Sequence, residues 1–317
     1  MSIYNKILVV ADINKDEQPA LARAMQLAAQ SRSRSKVCFF LSIYDFSYDM
    51  TSMLSVDERD AMRRGVIGQR EQWMHKVAKP YTEQNQNVDF DVKVVWHNRP
   101  YEAIIAETFA GNHDIVIKGT RKHDVLESVI FTPTDWHLLR KCPSPVLLVK
   151  NSDWPENASI LASVHVGSEN DTHLGLNDSM VEQLNSLSER LGAKPYLVNA
   201  YPVTPANITI ELPEFDPNTY TDAVRGHHLT AMKALRQKHG YDEQQTVVEQ
   251  GLPEDVIPES ATKLNAAMVI VGTTGRTGLS AVFIGNTAEH VIDKINCDVL
   301  ALKPNGYISP LDPKTGT

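Results

Sequence analysis

Short apolar runs and longer amphipathic ones alternate along the whole chain. In the first half, residues 6–11, 37–43, 90–96, 114–118 and 145–149 are brief, rich in Val, Ile and Phe, and bounded by polar or turn residues, which predicts strands. Between them, 17–31, 57–79 and 100–110 predict helices, and in the second of these Met62, Val66, Trp73 and Val77 fall on one face. The second half repeats the alternation, with strands near 159–165, 195–200, 245–249, 267–272 and 298–302. Strands alternating with helices predict an α/β fold with a mostly parallel sheet covered on both faces. In such sheets ligands bind at the carboxyl ends of the strands, beside the switch in strand order.

The two halves are one pattern written twice. At an offset of 153 residues, ILVVAD (7–12) lies over ILASVH (160–165), HDIVIKGT (113–120) over AAMVIVGT (266–273), and Pro100 over Pro253. Identities continue through Leu126/Leu279, Val129/Val282, Thr134/Thr287, His137/His290, Lys141/Lys294 and Val146/Val299. A period this long is a duplicated domain and not a solenoid module, whose repeats run to about 20–50 residues. The pattern predicts one domain over 1–150, a polar linker over 151–158, a second domain over 159–304 and a C-terminal tail over 305–317.

Composition narrows the partners. The 317 residues are 42% hydrophobic with a formal charge of -8, so there is core for two domains but no general excess of cations for nucleic acid. The charge is uneven: residues 1–150 carry 20 basic and 18 acidic side chains, the remainder 11 and 21. Three cysteines without a C-x-x-C pair exclude a disulfide scaffold and predict reduced, half-buried thiols rather than a zinc site. The opening MSIYNKILVVADINKDEQ meets charge after too short an apolar run for a signal segment or a membrane span, which predicts a cytoplasmic protein without a membrane partner.

The candidate chemistry lies after the fourth strand of the second half, in GTTGRTGLSAVFIGNTAEHVI (272–292). Its spacing is G-x2-G-x9-G-N, through Gly272, Gly275, Gly285 and Asn286. Glycines let the backbone approach an anion and point successive N–H groups at it. Asn286 and Thr287 open the next helix, where free N–H groups favour negative charge, and Thr273, Thr274 and Arg276 add donors. A glycine-rich turn that only connects strand to helix is the competing explanation. There is no G-x4-G-K-[ST] and no G-x-G-x-x-G after a first strand, which sets aside a P-loop NTPase and a dinucleotide oxidoreductase.

The ILVVAD strand, the five-strand spacing and the glycine spacing before the last helix resemble the universal stress protein family, and two such halves in one chain resemble its tandem members. The resemblance implies two Rossmann-like domains, each with strand order 3-2-1-4-5. It also implies ATP or another adenine nucleotide, with or without Mg, held by the glycine loop and an Asp ending the first strand. Gly272, Gly275, Gly285 and Asn286 match that loop, but the first-strand position is His165; with Ala200 at the end of the second strand it completes the nucleotide-binding candidates. In the first domain Asp12 and Gly119 match, while Lys122, Thr132 and Pro133 replace the remaining glycines and Asn. A Cβ blocks close approach and proline offers no N–H, so this first site is degenerate.

The proline-rich stretch 201–222 predicts a lid, with Ile208, Ile210, Leu212 and Phe215 closing an apolar pocket. A lipid or other apolar ligand is therefore the alternative to a nucleotide, and a slow ATPase the second alternative. No base, nucleophile or metal constellation stands out, so a binding protein is expected, with no catalytic residues and no metal. His227 and His228 diverge on a helix, Trp96 and His97 are structural, and His137 and His290 mark a domain contact. The expected assembly is an internal pseudo-dimer of the two domains, packed through the strands at 145–149 and 298–302, with a homodimer beyond that.

Overall fold

The computed structural model describes residues 4–13, 15–31, 33–48, 54–122, 129–150, 153–167, 171–203, 216–273 and 286–314. They form two compact units, Met1–Ser152 with Ile308–Thr317, and Asp153–Tyr307.

In the first unit the order is β1 (Lys6–Val10), α1 (Pro19–Ala29), β2 (Lys36–Ile43), α2 (Val56–Gln84), β3 (Asp89–Trp96), α3 (Pro100–Gly111) and β4 (Ile115–Gly119). A two-strand hairpin, β5 (Arg121–Lys122) and β6 (Val129–Ile130), then precedes α4 (Pro133–Lys141) and β7 (Val146–Val149). The five main strands lie in the order β7-β4-β1-β2-β3, every pair parallel. The second unit comprises β8 (Ser159–Ser163), α5 (Asp171–Leu191), β9 (Lys194–Tyr201), α6 (Pro217–His239), β10 (Thr246–Gln250), α7 (Pro253–Lys263), β11 (Ala266–Gly272), α8 (Asn286–Lys294) and β12 (Asp298–Leu302). Its order is β12-β11-β8-β9-β10, again all parallel. Each unit thus has strand order 3-2-1-4-5.

The strands were legible because they are buried on both faces. Ile7, Leu8 and Val9 in β1, Ile115, Val116 and Ile117 in β4, and Ile160, Leu161 and Ala162 in β8 have no exposed surface. Burying each large aliphatic side chain stabilises the fold by about 1.5–3 kcal/mol. All ten main strands fall within two residues of their sequence-based bounds.

Three expectations need correction, and one element is additional. The second helix runs through Pro80 to Gln84, well past residue 79, and its buried residues are Met74, Val77 and Ala78, while Met62 is 43% exposed. Its start is fixed by a capping box in which Ser55 Oγ accepts from Glu58 N and Glu58 Oε2 accepts from Ser55 N. The stretch 201–222 is not all loop: Asp216 caps α6 by accepting from Asn218 N, and Pro217 occupies the first helical position. The eroded glycine loop of the first half contains an antiparallel hairpin. Cys38 and Cys142 are fully buried, and only Cys297 is half-buried.

Candidate functional site

Both units tie the loop after their first strand with a side-chain amide. In the first, Asp12 N donates to Gln18 Oε1 at 2.9 Å and Gln18 Nε2 donates to Asp12 O at 2.9 Å. In the second, His165 N donates to Asn177 Oδ1 at 3.0 Å and Asn177 Nδ2 donates to His165 O at 2.9 Å. The amide therefore replaces a strand partner for the residue just past β1 or β8, and holds its side chain at the carboxyl end of the sheet. Asp12 and Gly119 are brought together there: a Cβ on Gly119 would stand 2.6 Å from Asp12 Oδ2, so a larger residue would push the carboxylate aside.

The two units part at the N-terminus of the helix that follows the fourth strand. In the first unit that end is filled from within. Asp135 is completely buried and accepts from Thr132 N at 2.6 Å and Thr132 Oγ1 at 2.8 Å, while Thr132 Oγ1 in turn accepts from Asp135 N. Lys118, from β4, places its ammonium 2.7 Å from Asp135 Oδ1. A carboxylate already sits where free N–H groups would receive an anion. At the 153-residue offset, Thr132, Asp135 and Lys118 become Gly285, Ala288 and Val271. None of these brings a carboxylate, a hydroxyl or an ammonium to that place. Glu289 is one position later, turned about 100° round the helix from Ala288.

Of the nucleotide candidates, Thr274, Gly275, Arg276 and Gly285 lie outside the described residues, as do the lid candidates Ile208, Ile210, Leu212 and Phe215. Gly272 ends β11 against α5, where a Cβ would meet Leu176 Cδ2 at 2.5 Å. Thr273 is buried and donates both its N–H (2.8 Å) and its hydroxyl (2.9 Å) to Leu302 O, so its donors serve the sheet. Asn286 begins α8, Thr287 is exposed in its first turn, His165 is exposed just past β8, and Ala200 is half-buried near the end of β9.

Next to these lies a polar cluster around His228 whose members the sequence did not bring together. Asn199, buried in β9, donates from Nδ2 to Val164 O at 3.0 Å, so its Oδ1 is the acceptor facing His228 Nδ1 at 2.8 Å. That fixes the His228 proton on Nδ1. The ring lies on Gly167, where a Cβ would stand 2.5 Å from Cε1 and 2.8 Å from Nε2, and it faces Tyr201 at 5.5 Å between centroids. Burial, and then the neighbouring His227, hold His228 below the ordinary histidine pKa. His227 itself is exposed, so the two histidines do diverge as their adjacency predicts. His137 stacks on Tyr101 at 4.0 Å, and His290 is exposed.

The first unit also has a cavity of about 720 Å³ at the carboxyl ends of β2 and β3, floored by α2. Tyr44, Tyr48 and Trp96 give it an aromatic wall, with Tyr44 and Tyr48 set edge-on to Trp96 at 6.0 and 5.4 Å. Arg70, Asp45 and His97 add polar groups. Trp96 Nε1 is buried without a hydrogen-bond partner. Trp96 and His97, expected to be structural, line this cavity.

No described helix is long and apolar enough to cross a membrane. The family model of the universal stress protein family matches residues 3–150 and again 177–303. The chain is 56% identical over 313 residues, 98% of both chains, to universal stress protein E of Escherichia coli. To the same-named protein of Photorhabdus laumondii it is 49% identical, also over 98% of both chains. Among solved structures it resembles a functionally unknown protein from Pseudomonas aeruginosa, with a TM-score of 0.74, 27% identity and coverage of 98% and 96%. With two family matches in succession, one on each five-stranded unit, the chain belongs to the universal stress protein family as a tandem member.

Proposed function

We propose that the chain is a ligand-binding stress protein that holds ATP or another adenine nucleotide in its second domain only. The observation that carries this reading is the contrast between the two helix N-termini. The first is occupied by Asp135 and balanced by Lys118; the second has Ala288 and Val271 at those places, behind a G-x2-G-x9-G-N loop. A helix N-terminus that lacks the first unit's Asp and Lys and has glycines before it in sequence suits phosphate, and Asn286 and Thr287 add donors at its first turn. His165 stands where the family pattern has Asp, so adenine and ribose would be held chiefly by backbone and by the packing around Ala200. The site needs only binding groups; a slow ATPase would require Mg brought in with the nucleotide.

A second reading rests on the first unit's cavity. Its aromatic wall with Arg70 in the lining suits a bulky, partly apolar ligand with an anionic group, such as a lipid. Native mass spectrometry of freshly purified protein separates the two. A co-purifying adenine nucleotide that is lost in Gly285→Val supports the first reading. An apolar ligand retained in Gly285→Val and lost in Trp96→Ala supports the second. A chain that carries neither and ignores added ATP contradicts both.

A further inference from the structure

Three side chains from separate elements of the first unit meet within it: Cys38 in the middle of β2, Glu107 in the last turns of α3, and His113 between α3 and β4. One sulfur, one carboxylate oxygen and one ring nitrogen from them all lie within 4.8 Å of one another. Cys38 is 3% and His113 5% exposed. His113 Nδ1 has no hydrogen-bond partner, and Nε2 has only a long contact, 3.6 Å, to Glu107 Oε1. A buried imidazole with one nitrogen unsatisfied and the other weakly paired is costly and leaves room for a further partner.

The backbone is shaped for this ring. Asn112 takes a left-handed φ of 49° to end α3, and a Cβ on Gly111 would stand 2.2 Å from His113 Nε2. Glu107 is oriented by Lys93, whose ammonium binds the other carboxylate oxygen, Oε2. The duplicated fold does not need the trio. Strand register places Tyr196 where the first unit has Cys38, and the 153-residue offset places Ser260 and Ala266 for Glu107 and His113.

We infer that Cys38, Glu107 and His113 form a zinc site that fastens the end of α3 to β2, with a fourth position for water. A thiolate, an imidazole and a carboxylate are a borderline-soft set that suits Zn²⁺ and not Mg²⁺ or Ca²⁺, which take oxygen ligands. Bonds of about 2.0–2.3 Å to a tetrahedral zinc put ligand atoms about 3.3–3.8 Å apart, so a contraction of about 1 Å closes the site. The thiol proton passes to solvent as the sulfur–zinc bond forms, and thiolate and carboxylate together balance the ion.

The test uses the full chain stripped with a chelator and titrated with Co²⁺. The expected result is a thiolate-to-cobalt absorption band saturating at one equivalent, its displacement by Zn²⁺, and a rise in melting temperature with either metal. Cys38→Ala should lose the band and weaken Zn²⁺ binding by at least about 100-fold, more than loss of an outer-shell partner costs. His113→Leu fills the same space without an orphaned nitrogen; it should fold at least as well without metal and show neither band nor zinc-dependent shift. No band in the parent chain, or a band that survives Cys38→Ala, would overturn the site.

Discussion

Lys118→Met should destabilise the first domain far more than its place near the end of a strand suggests. Asp135 has no exposed surface, and the Lys118 side chain is 11% exposed, so the substitution strands a buried carboxylate. Removing one partner of a buried ion pair typically costs about 3–5 kcal/mol. Asp135 keeps two hydrogen bonds from Thr132 and the favourable end of α4, which offset part of the loss at up to about 2 kcal/mol in partly buried geometries. The expected net cost is therefore about 2–3 kcal/mol. Urea unfolding followed by tryptophan fluorescence reads it well, because Trp73, Trp96 and Trp136 all lie in the first unit. Adding Asp135→Asn to Lys118→Met removes the stranded charge, so the double variant should be less destabilised than the sum of the single ones by about 1–2 kcal/mol. A loss below about 1 kcal/mol, or effects that add within about 0.5 kcal/mol, would refute the idea that Lys118 balances a carboxylate held at the helix end.

Further outcomes follow from the same geometry. Ala288→Asp copies the first domain's internal anion into the second; at about 4 Å and an effective dielectric of about 20, one charge pair repels by about 4 kcal/mol, so even after screening ATP affinity should fall at least about tenfold. The melting temperature should hold or rise, since the new Asp can cap α8, and unchanged affinity would count against phosphate binding there. His228 is held below the ordinary histidine pKa of 6.5, chiefly by burial. As pH falls below about 6.5 the unfolded chain takes up protons before the folded one, so stability is full above that value and declines below it. His228→Phe should flatten that decline between pH 6.5 and 5 in unfolding titrations, and an unaltered slope would contradict the assignment. Asn199→Leu removes the acceptor of the buried His228 and should cost about 1–3 kcal/mol in chemical unfolding; a neutral outcome would show that the ring finds another partner.

The sheet was readable because its signal is local. Runs such as ILVV in β1 and MVIV in β11 are apolar on both faces, and the offset of 153 residues shows that the second sheet copies the first. The start of α6 was also within reach, since Asp216 followed by Pro217 is a cap and a first helical position, but the many prolines nearby hid it. The chemistry that distinguishes the domains was not local. Lys118 and Asp135 are 17 positions apart, and neither matches a motif until β4 and α4 bring them to 2.7 Å. The same holds for Tyr44, Tyr48 and Trp96 around the first cavity, and for Cys38, Glu107 and His113, which come from three elements. The glycine spacing stood out because its residues lie in one short stretch of sequence. A caged carboxylate or a three-element cluster is written only in the fold.

The most direct measurement is calorimetric titration of Mg-ATP into the full chain. Nucleotide binding by the second domain alone gives one site per chain, lost in Gly285→Val and in Ala288→Asp and unchanged in Asp135→Asn. Two equivalent sites, no binding, or a single site that survives both second-domain substitutions would contradict it.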